Sequence, residues 1–283
     1  MTATDIDLPA LAASHDIITL GMHADDLRRR LHGTRTTFVR VADVAVAPGA
    51  DVGIAPAAGE VRITGVPASR ADAVARVAEV KAVAGARPLS AFNLGDLEAL
   101  SIREQITLRA LLEDLCAAGL ELVAEAPFDR LENPRRAIEE VNISGLALAR
   151  LVVEQLPAGD PMAWLGQVAA LQRDVAVLRS FAPLPRRVNP AVPSTGYDDV
   201  RRVALARLVV DNIPCIQVDW ALYGPKLAQV ALTMGADDID GVSPEDEAAQ
   251  GRRRAPLEEI RRNIRAAGFE PAERNGRYEP VAQ

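Results

Sequence analysis

The chain has 283 residues, 49% of them hydrophobic and 25% charged, enough for one large α/β domain or two small ones with a sizeable core. A net charge of −7 and a sequence pI near 5.2 argue against the basic face that nucleic acid or an anionic membrane requires, so neither partner is expected. No apolar run approaches the roughly 18 residues of a membrane span, and the opening residues are acidic where a secretion signal would be basic. The two cysteines, Cys116 and Cys215, read as buried thiols, and a cytoplasmic protein is expected.

Along the chain, periods of 2 and 3.6 alternate, the pattern of repeated βα units and a largely parallel sheet. FVR, ending at Arg40, reads as the end of a strand. Val41 to Val61 follows as a long Ala/Gly/Pro segment with only Asp43, Asp51 and Glu60 ionisable. VRITG is a short strand, and Ser69 to Gly85 a helix with apolar residues at helical spacing and a glycine stop. Ala86 to Phe92 reads as the next strand. Ser101 and Glu104 suggest a capping box opening a helix that runs to about Ala118. ELVAEA is a strand; a helix then breaks near Gly145, and Pro161 to Val175 is helical with proline in its first turn. After a proline-rich crossing come a helix over about 197–212, the strand Cys215 to Ala221, and a helix from about Pro225 to Gly235. A last amphipathic helix precedes an Asn275-Gly276 turn that suggests a terminal hairpin.

Familiar catalytic signatures are absent: no G-x-G-x-x-G, no Walker lysine loop, no G-x-S-x-G and no H-E-x-x-H. All three histidines lie within the first 32 residues, which excludes a histidine base supplied by a later strand; no metal site is expected. The densest polar group is GADDIDG, with Asp237, Asp238 and Asp240, which reads either as a solvated turn or as carboxylates for a divalent cation or a substrate hydroxyl. In a parallel barrel the C-terminal strand ends face the site. That adds Glu125, Arg187 with Asn189, and Asp219 with Trp220 as substrate-binding candidates.

The stretch from Ser194 to Gly241, with its TGYDD helix start, ARLVVDNIP helix end, Trp220 strand, GPKLAQVAL helix and GADDIDG turn, resembles the C-terminal barrel region of the radical SAM enzymes of the futalosine route to menaquinone, especially aminofutalosine synthase. Leu20 to Val41 resembles the same family's N-terminal entry. The resemblance implies an incomplete or distorted (β/α) TIM-like barrel of the radical SAM type. A small N-terminal element is expected over 1–40, the partial barrel over 41–250, and a C-terminal helix and hairpin over 251–283.

In the family, C-x-x-x-C-x-x-C follows the FVR-like strand. Its three thiolates hold a four-iron, four-sulfur cluster that leaves one iron for S-adenosylmethionine. Val41 to Val61 contains no cysteine, so the resemblance implies that the segment replaced a cluster-binding loop. No cofactor and no iron-sulfur cluster are expected, S-adenosylmethionine loses its iron anchor, and by its cysteines the chain is not a working radical SAM enzyme. The expected function is a pseudoenzyme of menaquinone metabolism that binds a nucleoside-like ligand or an active family member. The alternative is non-radical acid/base chemistry on a futalosine-like substrate. Lost βα units are expected to leave a strand edge, covered by Val41 to Val61 or by a second copy of the chain.

Overall fold

Strand β1 (Arg35–Ala45) pairs in parallel with β2 (Glu60–Thr64) on one edge and β9 (Asp238–Val242) on the other, and this double pairing closes the sheet into a barrel. The computed structural model describes residues 7–47, 49–157, 159–187, 195–248 and 254–281. Between β2 and β9 the ladder runs through β3 (Leu89–Asn93), β4 (Leu122–Pro127), a fifth strand in two pieces, β5 (Ala147–Leu148) and β6 (Leu151–Val153), then β7 (Ser180–Pro185) and β8 (Cys215–Asp219). Every pairing in it is parallel. The result is a closed eight-stranded (β/α) barrel. Of the two expected forms it is the distorted one: register shifts occur between Phe38 and Arg40 and between Val152 and Val153, and the fifth strand is interrupted at Ala149 and Arg150.

The expected open edge does not exist. Val41 to Ala45 completes β1 and pairs with Glu60 to Thr64, so the expected replacement segment is shorter, residues 46–59. Parallel neighbours need a crossover of a dozen or more residues, usually a helix. Here the crossover carries no helix among its described residues. Val52 and Ile54 pack on the core from it, and Arg76, buried on α3 (Arg70–Ala84), ties it down by donating from Nε to Ala45 O (3.0 Å) and from Nη2 to Ala50 O (3.1 Å). The extended loop thus does the covering that a helix does elsewhere in the barrel.

Helices α1 (Leu8–Ala13) and α2 (Ile17–His32) precede β1, which itself runs through the boundary expected at residue 40. On α3, Ser69 caps the first turn by accepting from Asp72 N, and Ala73, Val77, Val80 and Ala84 form the buried stripe. The capping box expected at Ser101 is absent, because Ser101 lies inside α4 (Leu94–Arg103) and donates back to Glu98 O. The cap belongs to Thr107, which accepts from Ala110 N and opens α5 (Leu108–Ala117). Next come α6 (Pro134–Ile143), whose end precedes Gly145 at φ +81°, and α7 (Pro161–Val175). Helix α8 (Gly196–Val209) starts with a complete capping box between Thr195 and Asp198. Helix α9 (Trp220–Leu232) begins earlier than expected, capped by Asp219 and kinked where Gly224 precedes Pro225.

After α10 (Pro256–Ala266), β10 (Glu270–Arg274) adds in parallel to the first half of β1, on the edge that β2 takes further along. The expected hairpin is a minimal one: an antiparallel bridge joins Arg274 to Pro280 around the Asn275-Gly276 turn, with Asn275 N donating to Glu279 O (2.9 Å) and Val281 N to Glu273 O (3.0 Å). These last residues plug the N-terminal end of the barrel: Arg274 reaches Asp238, its guanidinium stacks 3.9 Å from the Tyr278 ring, and the Tyr278 hydroxyl donates to Ala149 O at 2.8 Å. Among the described residues no helix is long and apolar enough to cross a membrane.

Candidate functional site at the barrel mouth

Small parallel barrels usually fill their interior with Val, Ile and Leu. This one is filled with charge. Two residues apart on β9, Asp238 and Asp240 share its inward face. Asp238, fully buried, accepts from both sides of the Arg274 guanidinium (2.7 and 2.6 Å) and from Gln217 (2.6 Å) and Thr37. One layer up, Asp240 takes a two-pronged pair from Arg62 of β2 (3.0 and 2.9 Å) and a further contact from Arg150. Arg62 also reaches Glu60 (2.9 Å), which accepts from Ser90 (2.6 Å). The interruption of the fifth strand lets Arg150 turn inward and join Asp240 to Glu125 on β4 (2.9 Å). Arg186 then joins Glu125 to Asp219 at the end of β8 (2.7 Å to Asp219).

The ladder sets the ionisation of its members. Burial opposes the charge on Asp240, but the Arg150 and Arg62 guanidiniums outweigh it and hold the carboxyl well below the usual range. Glu125 is lowered in the same way, burial being outweighed by Arg150 and Arg186. Asp43, near the end of β1, goes the other way. Its carboxyl is raised, chiefly by the protein packed around it and then by nearby Asp240, against the attraction of Arg62.

Above the ladder a cavity of about 540 Å³ opens at the C-terminal mouth. Of the candidates from sequence, Glu125, Arg187 and Asp219 line it. Asp240 lies just beneath, gripped by Arg62 and Arg150, which form the floor. Trp220 packs its ring into the apolar core outside the barrel instead of facing the cavity. Asp237 and Asp238 are at the opposite end, where Asp237 ion-pairs with Arg207 and accepts from Ile216 N at 2.8 Å. Asn189 falls outside the described residues. The residues that sequence reasoning missed are Asp43, Arg62, Arg150 and Arg186, together with Phe92 and Asn93 at the end of β3. The available signal was a charged residue within or beside a β-branched run, as in VRIT and ARLVV. Phe92 holds φ +62° while buried, a backbone strain of the kind that collects at ligand sites.

The loop that follows β1 is where a thiolate-held cluster would have to sit. It has no cysteine; Cys116 is on α5, and Cys215 begins β8 at the far end. Two separated thiols do not make a three-thiolate set, so the residues present do not fit the cluster. Among the described residues no group of three or more His, Cys, Asp or Glu side chains is placed to hold a metal ion.

Residues 179–283 match the family model described as the CofH/MqnC C-terminal region. The chain is 38% identical to the aminodeoxyfutalosine synthase of Streptomyces coelicolor over 92 residues, 30% of this chain and 24% of that protein. The cyclic dehypoxanthine futalosine synthase of the same organism is 28% identical over 185 residues, 59% of this chain and 46% of that one. Over these stretches the chain is homologous to futalosine-route synthases. A 5-amino-6-(D-ribitylamino)uracil--L-tyrosine 4-hydroxyphenyl transferase from Methanopyrus kandleri is also similar, 40% identical over 114 residues, 38% of this chain and 31% of that protein. The matched stretches thus span less than half of each of these radical SAM relatives. Among solved structures, methylornithine synthase superposes with a TM-score of 0.65 at 13% identity, covering 94% of this chain and 93% of the other. The FeFe-hydrogenase maturase HydG from Carboxydothermus hydrogenoformans gives 0.62 at 12% identity, covering 90% and 72%. These likenesses establish the (β/α) barrel that methylornithine synthase and HydG share as the fold.

Proposed function

We propose that the protein is a cluster-free relative of the futalosine-route enzymes that binds a nucleoside-like small molecule at the mouth of its barrel, without radical chemistry. The observation that carries this reading is the open mouth cavity, lined by converging acids and guanidiniums, directly beside a β1 loop that has no thiolate. Closure of the eight barrel strands, none of which is left with an open edge, favours a small ligand over an active family member or a second copy as the principal partner. A cytoplasmic setting goes with a metabolic ligand of this kind.

Asp43 favours a second reading, in which the pocket performs acid/base chemistry. Asp240 is too strongly held by Arg62 and Arg150 to exchange protons, and Asp237 is at the wrong end. Asp43 is exposed to the cavity with its carboxyl raised, the direction that favours a general acid or base.

The experiment is a thermal-shift and calorimetric screen of purified protein against purine nucleosides, paired with anaerobic iron and sulfide reconstitution. A nucleoside at 100 times its dissociation constant adds about 2.7 kcal/mol to stability, visible as a melting shift. Nucleoside binding with no iron-sulfur absorbance is the expected result. A reconstituted cluster that cleaves S-adenosylmethionine would overturn the reading, as would the absence of any nucleoside-induced shift.

A further inference from the structure

The charges around the mouth cavity do not cancel evenly. Each guanidinium in its lining already has carboxylate partners: Arg186 bridges Glu125 and Asp219, and Arg150 bridges Glu125 and Asp240. Arg62 is held by Glu60 and Asp240. Arg130 bridges Asp96 (2.7 Å) and Glu154 (3.2 Å), and Arg187 pairs with Glu154 (2.9 Å). The lining acids Asp96, Glu125, Glu154 and Asp219 are consumed in those pairs. Among the described lining residues Asp43 alone carries a charge with neither an ion pair nor a hydrogen bond. No cation in the wall is left over for an anionic ligand, whereas one carboxylate is left over for a cationic one. The rim supplies an apolar counterpart, with Val66 and Leu222 both exposed beside Phe92.

Resting on the reading that this cavity is a small-molecule site, we propose that it selects ligands that set a positively charged nitrogen against Asp43 and rejects those carrying phosphate or carboxylate at that place. A phosphate entering here finds every guanidinium of the wall already neutralised by a carboxylate, and it meets the field of Asp43. An ammonium meets neither obstacle. It also offsets the Asp43 charge, which no ion pair or hydrogen bond compensates. An apolar ring against Val66, Leu222 and Phe92 completes the match.

Three probes that differ at one position test the proposal: 5′-amino-5′-deoxyadenosine, adenosine and adenosine 5′-monophosphate, titrated calorimetrically at neutral pH into the wild type and Asp43→Asn. Asp43 has no structural partner, so the variant is expected to fold, and its melting curve checks this. The expected ranking is amine tighter than adenosine by about tenfold and the phosphate weaker by a similar factor. Asp43→Asn brings the amine to within about twofold of adenosine. The proposal is overturned if the phosphate binds as well as the amine, or if the variant keeps the full amine preference. Should none of the three bind, the nucleoside reading fails by itself, and the charge preference is read from benzylamine and benzoate by NMR shift perturbation. Benzylamine perturbing resonances around Asp43 in the wild type but not in Asp43→Asn upholds it. Benzoate binding there, or neither binding, overturns it.

Discussion

Arg62 and Asp240 meet inside the barrel in a two-pronged ion pair, Nη1 to Oδ2 at 3.0 Å and Nη2 to Oδ1 at 2.9 Å, across 178 residues of sequence. The pair ties β2 to β9 past β1, and both side chains are almost fully buried. Removing one member leaves the other as an uncompensated buried charge, at a cost of roughly 3–5 kcal/mol, whereas replacing both by apolar groups avoids that penalty. Arg62→Met is therefore expected to lower the melting temperature by roughly 6–15 °C, and Arg62→Met with Asp240→Leu to recover part of the loss. Scanning calorimetry on the three proteins decides it; a fall of under about 2 °C for the single variant would mean that Arg150 alone suffices for Asp240.

Acid affects the ladder in a defined direction. Asp240 and Glu125 have folded-state values below their unfolded ones, so their contribution is complete above the unfolded carboxylate range near pH 4 and disappears as pH falls through the lower folded values. Asp43 has the opposite sign: raised in the folded state, it costs stability while ionised, and protonation relieves that cost. Asp43→Asn is thus expected to melt above the wild type at pH 7, with the advantage gone by about pH 4. Melting curves across this range measure both effects, and a wild-type optimum at or below about pH 3 would contradict the assignment of the ladder.

Arg76 is the anchor of the helix-less crossover, so Arg76→Leu leaves two β1-side carbonyls without their donor. Hydrogen bonds from charged groups contribute about 1.5–3 kcal/mol each. Hydrogen exchange should report the change locally, as faster exchange of the amides of residues 49–59 in the variant. Unchanged protection there would show that the packing of Val52 and Ile54 holds the loop without Arg76.

Gly65 sits at φ +106° where β2 leaves the barrel, and a Cβ at this position would lie 2.8 Å from Val46 Cγ1. Gly65→Ala carries both backbone strain and a clash, about 1–3 kcal/mol together. Adding Val46→Ala removes only the clash. Urea unfolding of the two variants should therefore show partial recovery in the double; full recovery would mean that the backbone tolerates alanine at Gly65.

Local elements were legible where the signal is local. Ser69 with Gly85 bounds α3, but an equally local pattern misled at Ser101 and Glu104, where Ser101 lies inside α4, and the capping box of Thr195 and Asp198 went unread. The extent of β1 was not legible: VADVA reads as the start of an Ala/Gly/Pro loop until Glu60 to Thr64 is seen beside it. The three aspartates of GADDIDG looked like one cluster, yet strand alternation sends Asp237 to the outside and Asp238 inward, and one more step along β9 takes Asp240 up to the ladder. Arg62 and Arg150 gave only the hint of a charge beside a strand, since their partners are 178 and 90 residues away. Asp43 lacks any partner that sequence could have offered, and its significance rests on the pairing of its neighbours.

The double pairing of β1 also bears on how the molecule is made. Thr37 meets Asp238 across 201 residues of chain, and β10 arrives later still. At roughly 5–20 residues per second, a ribosome takes on the order of 10–40 s to supply that partner. Throughout this interval β1 is a finished strand with nothing on one side, held in a nascent chain whose contacts with its partners are among the most distant available to it. Barrel closure thus cannot precede the synthesis of β9, and the interval before it is when the chain most needs protection from association with its neighbours.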